Sequence, residues 1–275
     1  IADINPEDIE SMSVLTGAAA AALYGEKASN GAIVITTKKG KAGKTVFTVS
    51  QTTELSDAFA MPRFQNRYGT GSMLRENGAN SYSWGKLLNE ANYQGYNPVT
   101  DYLKTGIVTT EAVTLSTGTD RNQTFLSASA LNANGIVPNN HYNRYNFTVR
   151  NTTNLLNDKL TLDLGASFIL QNDCNMINQG VYNNPLITAY LYPRGNSYED
   201  MAIFERYDSQ RRIYVQNWGD LISEFVGQNP YWINYRTPRT TSKHRYMMNA
   251  GATYAVTSWL NLSARIRIDH NASSY

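Results

Sequence analysis

Apolar and polar side chains alternate with a period of two along most of this chain, and no other feature limits its fold as strongly. The pattern is strict over residues 260–269, where each even position is aliphatic and each odd position is polar. Residues 160–171 and 246–256 repeat it less strictly. Successive side chains of a β-strand point to opposite sides of the sheet, so the alternation predicts strands with one apolar and one polar face.

Seven segments carry the alternation, and the connections between them are alternately short and long. The strands are predicted at residues 45–54, 110–118, 122–132, 143–155, 159–171, 243–256 and 259–269. Tight turns are expected near residues 120, 157 and 257, whereas the remaining connections run over 55–109, 133–142 and 172–242. Strands of about ten residues with every long loop at one end are typical of an outer-membrane β-barrel. A soluble β-sandwich shows the same alternation, so strand length and loop asymmetry favour the barrel.

The charged residues of the last strand fix which face would meet lipid. An arginine that faces lipid at the middle of a bilayer costs roughly 2–4 kcal/mol. Arg265, Arg267 and Asp269 share one face of their strand. We therefore expect these three residues to face the barrel lumen, and the leucine and isoleucine face to contact lipid.

Residues 1–40 follow a different pattern, which predicts a small α/β unit. Asn5 and Pro6 suit the start of a helix that should extend to about Glu10. A strand over residues 12–15, a helix over 18–23 and a strand over 31–37 should follow. Forty residues with so little apolar area cannot form an independent core, so this unit must pack against something else. We therefore divide the chain into units 1–40 and 41–275.

Composition and motifs exclude several classes of protein. The net charge is +2, from 24 basic and 22 acidic residues, and indicates no nucleic-acid partner. One cysteine and three widely separated histidines suit neither a disulfide framework nor a metal site, and no cofactor is expected. Residues 40–45 lack the first glycine of a phosphate-binding loop, because Lys38 occupies its position. No catalytic arrangement emerges, so we expect that the protein is not an enzyme.

Nine short segments, some inside and some outside the predicted strands, form a characteristic series along the chain. They are residues 5–11, 14–15, 18–25, 30–31, 33–40, 134–137, 142–146, 229–232 and 259–260. In this order they resemble the end of the plug domain and the first barrel strands of SusC/RagA-like TonB-dependent outer-membrane transporters.

The resemblance implies a transport function for a larger molecule. It implies a 22-stranded barrel filled by an N-terminal plug, of which this chain would be an internal piece. It also implies a SusD-like surface lipoprotein as a lid, and energy from an inner-membrane TonB complex that acts through an upstream segment. The expected location is the bacterial outer membrane, in contact with its lipid, and the expected cargo is an oligosaccharide or a peptide.

Two groups of residues are candidates for the functional parts of such a transporter. In the plug unit, six residues are expected to set turns rather than to contact cargo: Asn5, Pro6, Tyr24, Gly25, Asn30 and Gly31. In the long loops, amphipathic aromatic rings suit either sugar stacking or contact with the lid, and suit packing within the loops equally well. These candidates are Tyr82, Trp84, Tyr182, Tyr192, Trp218, Tyr231 and Trp232.

The main prediction is therefore TonB-dependent import, and two alternatives remain. One is a soluble carbohydrate-binding β-sandwich, which would bury its apolar face against a second sheet. The other is a passive porin, which would need neither the unit formed by residues 1–40 nor TonB.

Overall fold

The structure is a computed structural model, and it describes residues 3–69, 71, 82–89, 96–177, 179–180, 182–192, 195–218 and 227–275. The strands are β1 (Ile9–Leu15), β2 (Ala32–Thr37), β3 (Gly43–Ser56), β4 (Gly106–Gly118), β5 (Asn122–Asn134), β6 (His141–Leu155), β7 (Leu160–Cys174), β8 (Glu205–Asp208), β9 (Ile213–Gln216), β10 (Thr240–Ala255) and β11 (Asn261–Ser274). The α-helices are α1 (Gly17–Tyr24), α2 (Pro185–Leu191), α3 (Tyr198–Ala202) and α4 (Pro230–Arg236).

The seven predicted strands form one antiparallel sheet in the order β11-β10-β7-β6-β5-β4-β3. The sheet is not closed. Its seven antiparallel strands match part of a larger barrel, which confirms the predicted fold class of a partial β-barrel. Each strand extends past its predicted end toward the long loops, because ladder pairing continues where the alternation fades. For example, β7 stays paired with both neighbours as far as Cys174.

The register of the sheet brings most of the apolar residues of all seven strands onto one side, which we call the outer face. One row of directly paired positions crosses the whole sheet: Ile268, Met248, Ala166, Val149, Leu126, Leu115 and Phe47. Most of these side chains are exposed or half-buried. A shift of one residue in any strand would move its apolar set to the other side, so the alternating pattern specifies this register. The opposite side, which we call the inner face, is largely polar.

The opening segment contains a shorter helix than the sequence predicted. Asn5 and Pro6 do start a helix, but it is a single 3-10 turn (Pro6–Asp8) rather than a helix that extends to Glu10. The chain becomes extended at Ile9, because β1 pairs with β2 from that residue onward. The predicted second helix is α1, and Gly25 ends it in the left-handed region with φ +78°.

The long loops pack together into a second core, which we call the loop layer. It consists of the described residues within 57–105, 135–140 and 175–239. Its centre contains Tyr96, Tyr102, Val137, Tyr192, Met201, Trp218 and Tyr231. The segment 172–242, which we predicted to be one long loop, contains α2, α3, α4 and the β8–β9 hairpin. Asn184 and Asn229 cap the first turns of α2 and α4, and a proline follows each of them.

Candidate functional site

The opening segment is attached to the inner face by an ion-pair cluster around Asp3. The Asp3 carboxylate accepts hydrogen bonds from Lys243 Nζ at 2.8 Å and from Arg245 Nη1 at 2.6 Å. Its backbone carbonyl accepts a third from Asn146 Nδ2 at 2.7 Å. Burial alone would raise the pKa of the Asp3 carboxyl, but the bonds from Lys243 and Arg245 outweigh it and hold this pKa below its usual value. The cluster therefore favours a charged Asp3.

A second set of contacts holds the other end of the opening segment. Arg150 donates to the carbonyl oxygen of Thr37 at 3.2 Å and also to its hydroxyl group. Arg150 and Lys39 both lie beside Asp163, at 3.7 and 3.4 Å from its carboxylate oxygens. Asp3 precedes β1 and Thr37 is the last residue of β2, so the unit is held to the inner face at both of its ends.

Gly40 carries the chain from the opening segment into the sheet through a very close approach. A Cβ atom at this position would lie 2.3 Å from the backbone nitrogen of Thr124. Real Cβ contacts are longer than this, and the obstacle is backbone rather than a flexible side chain, so only glycine fits without a shift. The next amide, Lys41 N–H, donates to Ser116 Oγ at 3.1 Å.

The three residues expected to face the lumen lie on the inner face of β11. Asp269 accepts two hydrogen bonds from the Arg245 guanidinium, at 2.6 and 2.9 Å. The same Arg245 binds Asp3, so Asp269 is on the side that holds the opening segment. Arg265 and Arg267 share its parity, and both are exposed at the edge of the sheet.

Most of the six residues singled out in the opening segment lie in turns and caps, and Tyr24 is the last residue of α1. Asn5 is buried, and its side chain accepts from the Glu7 amide. Gly31 has φ +110°, and a Cβ atom there would lie 3.0 Å from the Leu15 carbonyl oxygen. Tyr24 and Asn30 are exposed, beside Gly25 and Gly31 respectively.

The aromatic candidates of the loops divide into a buried and an exposed group. Tyr192, Trp218 and Tyr231 are only 3%, 6% and 8% exposed, so packing, which the sequence left equally open, accounts for most of their surface. Tyr192 stacks on Trp218 with ring centroids 5.4 Å apart, and burial raises the pKa of Tyr192 to about 12. Trp232 is half-buried. The accessible candidates are Tyr82, Trp84 and Tyr182.

Sequence reasoning missed the residues that hold the opening segment, and it also missed the β8–β9 hairpin. Asp3 and Arg245 are 242 positions apart, and no local pattern joins them. The sequence contained only a weak signal for these contacts. Asp163 falls at a polar position of a strongly alternating strand, where a charge requires a partner or water.

None of the helices in the described part of the chain combines the length and apolar content of a membrane span.

Curated relatives of this chain are TonB-dependent receptors, although no protein-family model matches it. It is 30% identical to the TonB-dependent receptor SusC of Bacteroides thetaiotaomicron over 170 residues, which cover 60% of this chain and 16% of that receptor. It is 50% identical to a TonB-dependent receptor of Formosa agariphila over 56 residues, which cover 20% of this chain and 5% of that protein. The chain therefore matches only a small part of each relative.

Solved structures confirm the fold over nearly the whole chain. The RagAB peptide importer in its closed-closed state matches with a TM-score of 0.65 and 18% identity, over 99% of this chain and 33% of that one. Its open-open state matches with a TM-score of 0.63 and 16% identity, over the same shares. The predicted resemblance is thus confirmed: this chain is similar in sequence to TonB-dependent receptors that include SusC, and similar in fold to the RagAB importer.

Proposed function

We propose that this chain is part of a TonB-dependent importer in the bacterial outer membrane, and that it has no enzymatic role. The single observation that carries the proposal is the division of the sheet into two unlike faces. The outer face exposes apolar side chains across all seven strands, whereas the inner face holds the opening segment by ion pairs. A plugged barrel in lipid requires both properties at once.

The height of the apolar outer face supports a membrane location. On β7 its apolar positions run from Leu160 to Leu170. Ten residues of strand rise roughly 33 Å along the strand axis, at about 3.3 Å per residue. A strand tilt of roughly 40° reduces this rise to about 25 Å along the membrane normal, which is the height of the apolar band in outer-membrane barrels.

The exposed apolar outer face also argues against the soluble β-sandwich. A sandwich would cover Leu262 and Ile266 with a second sheet, but these side chains are 59% and 68% exposed. Within the described residues, the other two sheets are the two-stranded pairs β1–β2 and β8–β9. Neither of them lies over the apolar residues.

The unit formed by residues 1–40 is proposed to be the end of a plug, and residues 41–275 the first barrel strands and their loops. Support comes from the close passage of Gly40, after which β3 starts at Gly43 and the chain joins the sheet. Arg265, Arg267 and Asp269 are then proposed to line the lumen. A plug in this position would block the pore until the plug rearranges. A passive porin has no such plug, so the two proposals differ at this point.

The proposed cargo is an oligosaccharide or a peptide, admitted beneath a SusD-like lipoprotein that lids the loop end of the barrel. The exposed loop residues Tyr82, Trp84 and Tyr182 are the proposed contacts, because aromatic rings suit both classes of ligand. The peptide class has the additional support of the RagAB neighbour, which is described as a peptide importer. Energy would come from a TonB complex acting upstream of these residues.

Uptake by a strain that lacks the full-length receptor gene tests the proposal. We expect the deletion to abolish growth on one oligosaccharide or peptide mixture as sole nutrient, and a second strain without TonB to show the same loss. The intact gene should restore growth only where TonB is present. Restoration without TonB would indicate a passive porin, and unchanged growth of the deletion strain on all candidate nutrients would contradict import.

A further inference from the structure

The β8–β9 hairpin, residues 205–216, projects from the loop layer and has no assigned role. Its two strands pair antiparallel, with Tyr207 directly opposite Tyr214. The two rings lie 5.4 Å apart in an edge-to-face arrangement, and each side chain is 57% exposed. Both faces and the tip of the hairpin are accessible, so it is a protrusion rather than the wall of a pocket.

The hairpin is held rigidly at its base. The Arg236 guanidinium, on the last residue of α4, binds both carboxylate oxygens of Glu205 at 2.6 and 2.9 Å and lies 5.9 Å from the Tyr214 ring centroid. Phe204, immediately before β8, stacks on Tyr235 of α4 at 5.8 Å. At the tip, Asp208 accepts from the amides of two turn residues. Such a preorganised element loses little conformational entropy when it binds.

The exposed charge of the hairpin is positive. Arg206, Arg211 and Arg212 are exposed, and none of them forms an ion pair with any residue that the structure describes. The two carboxylates of the hairpin are already engaged, Glu205 by Arg236 and Asp208 by the turn amides. These three exposed guanidiniums therefore present donors suited to carboxylate groups.

We propose that this hairpin is a docking element that inserts into a concave, acidic surface of a partner protein. Small ligands bind in concave sites that enclose most of their surface, which a protrusion cannot offer. Tyrosine and arginine are the side chains most enriched at protein-interface hot spots, and complementary charge accelerates and orients the encounter. This inference rests on the proposed function, in which a surface lipoprotein covers the loop end, and it names the element through which that protein binds.

The test compares charge-reversed receptors in complex with the lipoprotein encoded beside the receptor gene. The full-length receptor is co-expressed with this lipoprotein, both are purified in detergent, and the dissociation constant is measured at low and at physiological salt. Replacing Arg206, Arg211 and Arg212 by glutamate should weaken binding at least tenfold and reduce its salt dependence. A separate Tyr207→Ala, Tyr214→Ala variant should also weaken binding but leave the salt dependence unchanged.

A matched control places reversed charges at the opposite end of the sheet, where Lys44 and Lys159 are exposed. A variant with both of these lysines changed to glutamate should bind as the unmodified receptor does. Equal binding by the arginine variant and this control would overturn the inference but leave the proposed function intact. Unchanged lipoprotein binding with reduced binding of a cargo oligosaccharide or peptide would also overturn it, because the hairpin would then contact cargo. If the unmodified receptor did not bind the lipoprotein, the proposed function would itself fail.

Discussion

The sheet and the loop layer use apolar side chains in opposite ways. In the loop layer they point inward, so that Tyr102 and Met201 are fully buried. In the sheet they point outward, and Phe47 and Ile268 remain largely exposed. A protein surrounded only by water would bury large apolar side chains in both regions where packing allows. The proposed function accounts for the difference by two solvents, water around the loops and hydrocarbon around the sheet.

The largest expected effect concerns whether the loop layer has a core of its own. Met201→Ala removes most of a fully buried side chain and should destabilise the loop layer by about 2–5 kcal/mol. Hydrogen exchange of the full-length receptor should show lost protection in α2, α3 and α4, with β10 and β11 unchanged. Phe59→Ala, at a position of the loop layer that is almost fully exposed, is the control and should leave exchange unaltered. Equal loss of protection in β10 would show that the two regions unfold as a single unit.

A charge placed on either face tests whether the apolar side chains of the sheet contact lipid. Leu164→Arg and Leu262→Arg put a charge on the outer face and should each cost about 2–4 kcal/mol if they lie near the middle of the bilayer. Ser263→Arg, on the inner face, should cost far less. The amount of folded full-length receptor in outer-membrane fractions is the measurement. Equal amounts for all three variants would mean that neither face meets lipid, and a loss confined to Ser263→Arg would mean that the faces are assigned the wrong way round.

The junction between the opening segment and the sheet should tolerate no added atoms. In Gly40→Ala the new Cβ atom would meet the backbone of Thr124, and we expect a loss of about 1–3 kcal/mol. Gly251→Ala is the control, since the nearest atom to its Cβ would be 3.6 Å away. Denaturant melting of the full-length receptor in detergent compares the two. If both glycines accepted alanine equally, the close passage of Gly40 would have no energetic consequence.

The smallest effect is expected at the ion pairs that hold the opening segment. Because the folded pKa of Asp3 is lower than its unfolded value, its contribution is complete above the unfolded pKa and declines as the pH falls through the folded one. The hydrogen-exchange protection factors of residues 3–8, which are corrected for the intrinsic effect of pH on exchange, should therefore fall below about pH 4, near the unfolded pKa of an aspartate. Asp3→Asn should cost about 1 kcal/mol at neutral pH and reduce this acid dependence. An unchanged acid response in Asp3→Asn would assign the response to other groups.

The sheet could be predicted from the sequence because its signal is local. Alternation at every second position gives both the strands and the face of each residue, so the apolar row from Ile268 to Phe47 follows once the pairing order is known. The start of β1 at Ile9 was missed because its pairing with β2 outweighs the helix-start signal at Asn5 and Pro6. Here a tertiary contact overrides a local preference.

Most of the loop layer could not be predicted, for a related reason. Tyr96 and Tyr192 come from different loops and meet edge-to-face at 5.1 Å, a contact that no local pattern encodes. The helices did leave a signal, since Asn184-Pro185 and Asn229-Pro230 are cap and first-turn pairs. The burial of Tyr192 and Trp218 depends on the assembled core, and sequence reasoning could only leave packing and binding as equal alternatives.

The central claim, that one face of the sheet contacts hydrocarbon, is tested most directly along β11. Single cysteines at positions 262, 263, 266 and 267 of a full-length Cys174→Ser receptor would carry a fluorophore, and brominated lipids in vesicles would act as the quencher. We expect strong quenching at positions 262 and 266, which lie on the outer face, and little at positions 263 and 267, which lie on the inner face. Equal quenching at neighbouring positions would contradict it.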